Sequence, residues 1–207
     1  MEPGAARCGG FCGHSFGARL TQAVAGEAYP DLPANSLATA RDGRPRAAAH
    51  DGRPRAFIAF SPGFGAREGS GDAARDAAND AAARARFGAI ERPFLCITGT
   101  RDDAVIAGDV TNATRRAVYR GLAAGHKAQL VLDGADHMTF AGQNIPPLRG
   151  RLLQREAGAE ARQPAHHALV ARVTTDWWLA ELTDDARARA RLAAPVGVSS
   201  GDLWEQG

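Results

Sequence analysis

No run of this sequence comes near the roughly 18 apolar residues that a membrane-spanning helix needs, so the chain is expected to stay out of the bilayer. Residues 1–7 likewise lack the apolar core of a secretory signal. That points to a cytoplasmic protein as the sequence stands, or a secreted or periplasmic one if a signal peptide precedes it. Cysteine is scarce: Cys8, Cys12 and Cys96 make an odd count that fits no disulfide framework, and each sits in or beside an apolar run as a small hydrophobe would. A dominant charge is missing too. Lys and Arg number 25 against 23 Asp and Glu, and a net charge of +2 gives no global field for nucleic acid or a membrane surface. His166 and His167 are adjacent, without the i, i+4 spacing that sets two ligands on one helical face, and no Cys or Glu cluster joins them. They read as helix packing, and neither a metal nor a cofactor is expected.

What the sequence does have is length for a core and a concentrated motif. A chain of 207 residues suits a single domain over residues 1–207. Gly13, His14, Ser15, Phe16 and Gly17 spell G-x-S-x-G, the pattern of a strand that turns sharply into a helix. In that turn the serine backbone is strained, and the residues two before and two after it are expected to need the missing side chain of glycine. The hydroxyl is thereby pushed outward, and the N–H of Phe16 falls at a helix N-terminus, where unpaired amides and the helix dipole favour an anion. With 24 glycines in the chain, a glycine-rich loop carrying a solvated serine is the competing reading, and context decides between them.

Context follows along the chain. Residues 7–12 read as a short strand, and residues 16–28 as a helix with Leu20, Ala23 and Val24 on one face and Pro30 as its stop. Residues 30–55 lose periodicity and form a long loop, in which the hexapeptide Asp-Gly-Arg-Pro-Arg-Ala occurs at 42–47 and again at 51–56. Two short copies are too few for a solenoid, and a duplication in a solvated loop explains them better than an arginine clamp. An apolar strand at 56–62 precedes a helix at 72–87 with Asp72 as N-cap. A buried strand at 93–99 precedes a helix at 111–123 carrying Val118, Tyr119 and Leu122, and a fourth strand covers 128–132. A second loop at 144–164 leads to helices at about 165–182, with Trp177 and Trp178, and 184–192. One of the two tryptophans is expected to pack on the sheet and the other at its edge. The alternation gives an α/β fold of about four mostly parallel strands with flanking helices.

Ser15 ends the first strand, Asp102 follows the third and His137 follows the fourth, all at strand carboxyl ends, where α/β sheets gather their sites. Nucleophile, acid, base is the order that α/β-hydrolases use. A histidine must take the proton of the serine hydroxyl, and a carboxylate must orient the imidazole. Asp103 competes with Asp102 for that role, Asp136 reads as a turn former or brace beside His137, and His14 as packing beside the elbow.

On these residues the chain resembles the C-terminal half of an α/β-hydrolase of the dienelactone-hydrolase-like group, which also holds relatives of platelet-activating-factor acetylhydrolase. The resemblance is carried by Gly13 to Ala18, by Pro93 to Asp103, whose Gly99-x-x-Asp102-x-x-Val105 spacing favours Asp102 as the acid, by Gly134 to Phe140, and by His166 to Trp178. It implies a serine esterase with Ser15 as nucleophile, Asp102 and His137 completing the triad, and the Phe16 N–H as an oxyanion donor. Phe16, Phe64 and Met138 are expected near the acyl group. The implied partner is a small-molecule ester. True dienelactone hydrolases carry cysteine where this chain has Ser15.

The resemblance also implies what the sequence leaves out: strands ahead of the elbow, and the loop that gives a second oxyanion N–H. An exposed edge on the first strand would then invite self-association. The alternative function is a non-catalytic truncated remnant or interaction module that keeps the triad residues by descent.

Overall fold

The computed structural model of the protein describes residues 9–29, 54–63, 73–103, 110–141, 155 and 157–207. Five strands form one sheet in the order β1 (Gly10–His14), β2 (Ala56–Phe60), β3 (Phe94–Arg101), β4 (Lys127–Asp136) and β5 (Leu203–Gln206). The first four are parallel and β5 runs antiparallel to β4. Between them lie α1 (Phe16–Ala25), α2 (Ala73–Phe87), α3 (Asn112–Gly121), α4 (Ala159–Leu182) and α5 (Ala186–Ala193), with a 3₁₀ turn at His137–Phe140. This is an α/β fold.

The central strands are apolar throughout because both sheet faces are covered. Alternation splits each strand between two cores. Phe57, Ala59, Phe94 and Cys96 meet Ala18, Ala83, Phe87 and Val118 from α1, α2 and α3. Ile58, Leu95, Ile97, Leu130 and Leu132 meet Leu169, Val173, Trp177 and Leu192 from α4 and α5. No helix of the described residues is long and apolar enough to cross a membrane.

Several boundaries differ from the sequence expectation. The sheet has five strands rather than about four, because β5 is only four residues long and half polar, too short for its alternation to register. Helix α1 stops at Gly26, whose φ of 117° and N–H to the Gln22 and Ala23 carbonyls cap it before Pro30 is reached. Leu20 does not face the core; it is 55 % exposed, and the inward positions are Ala18, Thr21 and Gln22. Those polar residues are satisfied: Thr21 donates to the Gly17 carbonyl at 2.8 Å, and the Gln22 amide exchanges two hydrogen bonds with the Gly63 backbone. Helix α4 begins at Ala159, inside the expected loop, with Pro164 in its second turn. Both copies of the repeated hexapeptide, apart from the end of the second, and Asp72 lie outside the described residues.

One contact shapes the edge where Ser15, Asp102 and His137 gather. A Cβ on Gly99 would stand 2.0 Å from the Ala135 carbonyl oxygen, so only glycine lets β4 approach β3 there. The register shifts between Gly99 and Arg101, and the two strands deliver Asp102 and His137 side by side.

Candidate active site

Ser15 follows the last residue of β1 with φ 57° and ψ −111°, a backbone conformation that costs a non-glycine residue about 1–3 kcal/mol. Two hydrogen bonds hold it there: its N–H donates to Phe60 O at 3.0 Å, and its carbonyl accepts from Arg19 N at 3.1 Å. The tight turn needs Gly13, since a Cβ there would fall 2.4 Å from the Gly17 backbone. The expected need for glycine at the second position does not hold, because a Cβ on Gly17 would meet nothing within 4 Å. The clash is one-sided: the strand leans on the helix start, and the Gly17 Cβ direction points away from it.

His137 opens the 3₁₀ turn. Asp136 caps that turn by accepting from Thr139 N at 2.8 Å and is itself held by Arg155 at 2.8 Å, so it braces the histidine without touching the ring nitrogens. The His137 Nε2 lies 3.0 Å from Ser15 Oγ and its Nδ1 2.8 Å from Asp102 Oδ1. A carboxylate can only accept, so Nδ1 carries the hydrogen and Nε2 presents its lone pair to the serine hydroxyl. Asp103 is directed elsewhere, accepting from Asn112 N at 3.0 Å.

Asp102 is fully buried, and Thr98 donates to its Oδ2 at 2.8 Å. Burial works against its charge, but the hydrogen bond from His137 and the positive charge of Arg115 outweigh it and hold the carboxyl below its ordinary pKa. His14 packs against the same ring, with centroids 4.7 Å apart, and its Nε2–H donates to the His137 carbonyl at 3.0 Å. Burial, then the neighbouring His137, lowers its pKa to about 4, so it stands as a neutral brace.

Comparison with protein-family models and with curated proteins finds no match.

Phe16 opens α1, and a helix's first amides have no intrahelical acceptor, so its N–H is available beside Ser15. Its ring is 81 % exposed. Met138 is half-buried directly after His137, and Phe64 lies outside the described residues. His166 is buried and burial lowers its pKa, while the His167 Nε2–H donates to Thr139 O at 2.7 Å. Both serve the packing of α4, the second by tying it to the 3₁₀ turn. His166 also lines a cavity of about 540 Å³ with Asp133, Arg162, Ser199 and Asp202, which none of Ser15, Asp102 or His137 lines. Trp177 is buried in the α4 core, and Trp178 lies over Gly10 at the β1 edge.

Thr98 and Arg115 also surround Asp102, and sequence reasoning missed both. Arg115 stands in an Arg-Arg pair on an amphipathic helix, where nothing in the sequence says which arginine turns inward.

Proposed function

We propose that this chain is a serine hydrolase that cleaves carboxylic esters through an acyl-enzyme intermediate, in keeping with its resemblance to the C-terminal half of a dienelactone-hydrolase-like α/β-hydrolase. The observation that carries the proposal is the unbroken run from Ser15 Oγ through His137 to Asp102, at 3.0 and 2.8 Å, starting from a serine in a strained strand-to-helix turn. Strain of this kind is retained where it serves a site.

In the reaction, Ser15 Oγ attacks the ester carbonyl carbon as its proton passes to His137 Nε2. The imidazolium is stabilised by Asp102, and the tetrahedral oxyanion faces the Phe16 N–H. Collapse expels the alcohol, which takes the proton from Nε2. Water, deprotonated by the same nitrogen, then attacks the acyl-serine carbonyl; the second tetrahedral intermediate collapses by breaking the bond to Ser15 Oγ, which takes the proton back from Nε2 as the acid leaves. Each oxyanion donor in such a site is worth about 10² to 10³ in turnover.

Labelling of the purified chain by a fluorophosphonate, with Ser15→Ala and His137→Ala variants and a short-chain nitrophenyl ester assay beside it, tests the proposal. Labelling and turnover should be lost in the serine variant and fall by about 10²-fold or more in the histidine variant. A folded chain that neither labels nor hydrolyses would instead favour a non-catalytic interaction module.

A further inference from the structure

Arg115 is a buried cation that the hydrolysis scheme leaves without a task. Its side chain is only 5 % exposed. The Nε lies 3.0 Å from Asp102 Oδ1 and also donates to the Asp102 carbonyl. Nη1 donates to Ser61 O at 2.8 Å and Pro62 O at 3.1 Å, and Nη2 stands 3.2 Å from His137 Nδ1. The last approach is not a hydrogen bond. The Nδ1 hydrogen is committed to Asp102, and a guanidinium has only hydrogens to offer. One carboxylate oxygen thus accepts from His137 Nδ1 and lies in ion-pair contact with Arg115 Nε, and a fixed positive charge faces the ring that must become positive during the reaction.

We infer that Arg115 is a positioning residue that pins Asp102 beneath His137 and, by holding its positive charge beside the ring, opposes protonation of the resting imidazole, extending the pH range in which Nε2 can accept the Ser15 proton. The inference rests on the reading of Ser15 and His137 as nucleophile and base. Its geometry is set by α3, whose Thr111–Thr114 capping box fixes the start of the helix one turn before the arginine. The other groups around the ring do not supply this charge. His14 from β1 is neutral down to about pH 4. Asp136 is engaged by Arg155. Asp103 acts on Arg115 by favouring its cation. From α4, His167 reaches the turn through the Thr139 carbonyl.

The test is the rate of fluorophosphonate labelling against pH for the full chain, with Arg115→Lys and Arg115→Gln. A charge this close displaces a titration by about one to three pH units. In the Gln variant the acid limb of the profile should move to higher pH by about one unit or more, lowering the rate on that limb about tenfold. The Lys variant keeps the charge without the planar fork, so its limb should stay near that of the unaltered chain even if the plateau falls. A folded Gln variant with an unmoved limb overturns the inference.

A second readout needs no variant of Arg115. The Nε–H signal of Arg115 in the NMR spectrum of the unaltered chain should shift as the His137 ring takes up its proton, and should stay still in His137→Gln. A signal indifferent to His137 overturns the inference whatever the labelling shows. A signal that follows His137 in a chain that never labels upholds the coupling and overturns the hydrolase reading.

Discussion

Where β1 meets the elbow, His14 lies with its ring 4.7 Å from that of His137 and its Nε2–H on the His137 carbonyl, a neutral arrangement that a proton would disturb. Burial and the neighbouring ring lower its pKa from 6.5 to about 4. An unfolded chain therefore takes up this proton near pH 6.5 and the folded chain only near pH 4. Between those values the unfolded state binds more protons, so the contribution of His14 to stability is complete above pH 6.5 and is lost as the pH falls through the window. Asp102 acts in a separate range. Its carboxyl is held below 3.8, so its contribution persists above that value and is lost only as the pH falls through its lowered folded pKa. Urea unfolding at a series of pH values should show stability declining between about pH 6.5 and pH 4. His14→Phe, which keeps a ring but takes no proton, should flatten that decline by a fraction of one bound proton, since the native ring is partly in contact with solvent. An unchanged slope in the variant would assign the decline to another group.

Among the elements, the strand–elbow–helix unit separates what a motif says from what its geometry requires. Both glycines of G-x-S-x-G are present, but only Gly13 is pressed against backbone, 2.4 Å from Gly17, while the space around Gly17 is open. Gly13→Ala should lower stability by about 1–3 kcal/mol, as overpacking does, and reduce labelling of Ser15 because the turn must open. Gly17→Ala sits inside α1 and should be neutral or stabilising by up to about 1 kcal/mol, the helix-propensity difference. Thermal or urea unfolding of the two variants checks this; equal losses would show that both flanks are tight. Legibility followed the same line. Apolar strands such as β2 and β3 and the periodic α3 could be read from the chain, because hydrophobic patterning fixes them locally. Leu20 could not, because Gln22 is turned inward by Gly63, 41 residues away, and the leucine is turned out. The start of α4 was hidden by Pro164, whose usual meaning as a breaker is outweighed by the packing of a 24-residue helix on the sheet.

For the whole molecule, the site could be read wherever the topology alone brings residues together: strand ends in the order serine, aspartate, histidine converge because parallel strands end on the same side of the sheet. Arg115 could not, because its partners Asp102, Ser61 and Pro62 meet only after β2, β3 and α3 have docked. The same sheet carries a liability at its other margin. Among the described residues β1 pairs with β2 alone. Gly9 O and Ser15 N both bond to the β2 side, so residues 9, 11 and 13 turn their backbone groups to β2, as Ser15 does its N–H, and Cys12 and His14 turn theirs to the open side. Such an edge is a template for pairing with a second strand. The chain is expected to self-associate with rising concentration in sedimentation velocity under reducing conditions, which remove cross-linking through the exposed Cys12. Cys12→Lys places a charge at the centre of that edge and should weaken association several-fold, whereas Cys12→Ser should not. Association that is indifferent to the lysine, or a chain that stays monomeric at all concentrations, would show that the β1 edge is covered by other means.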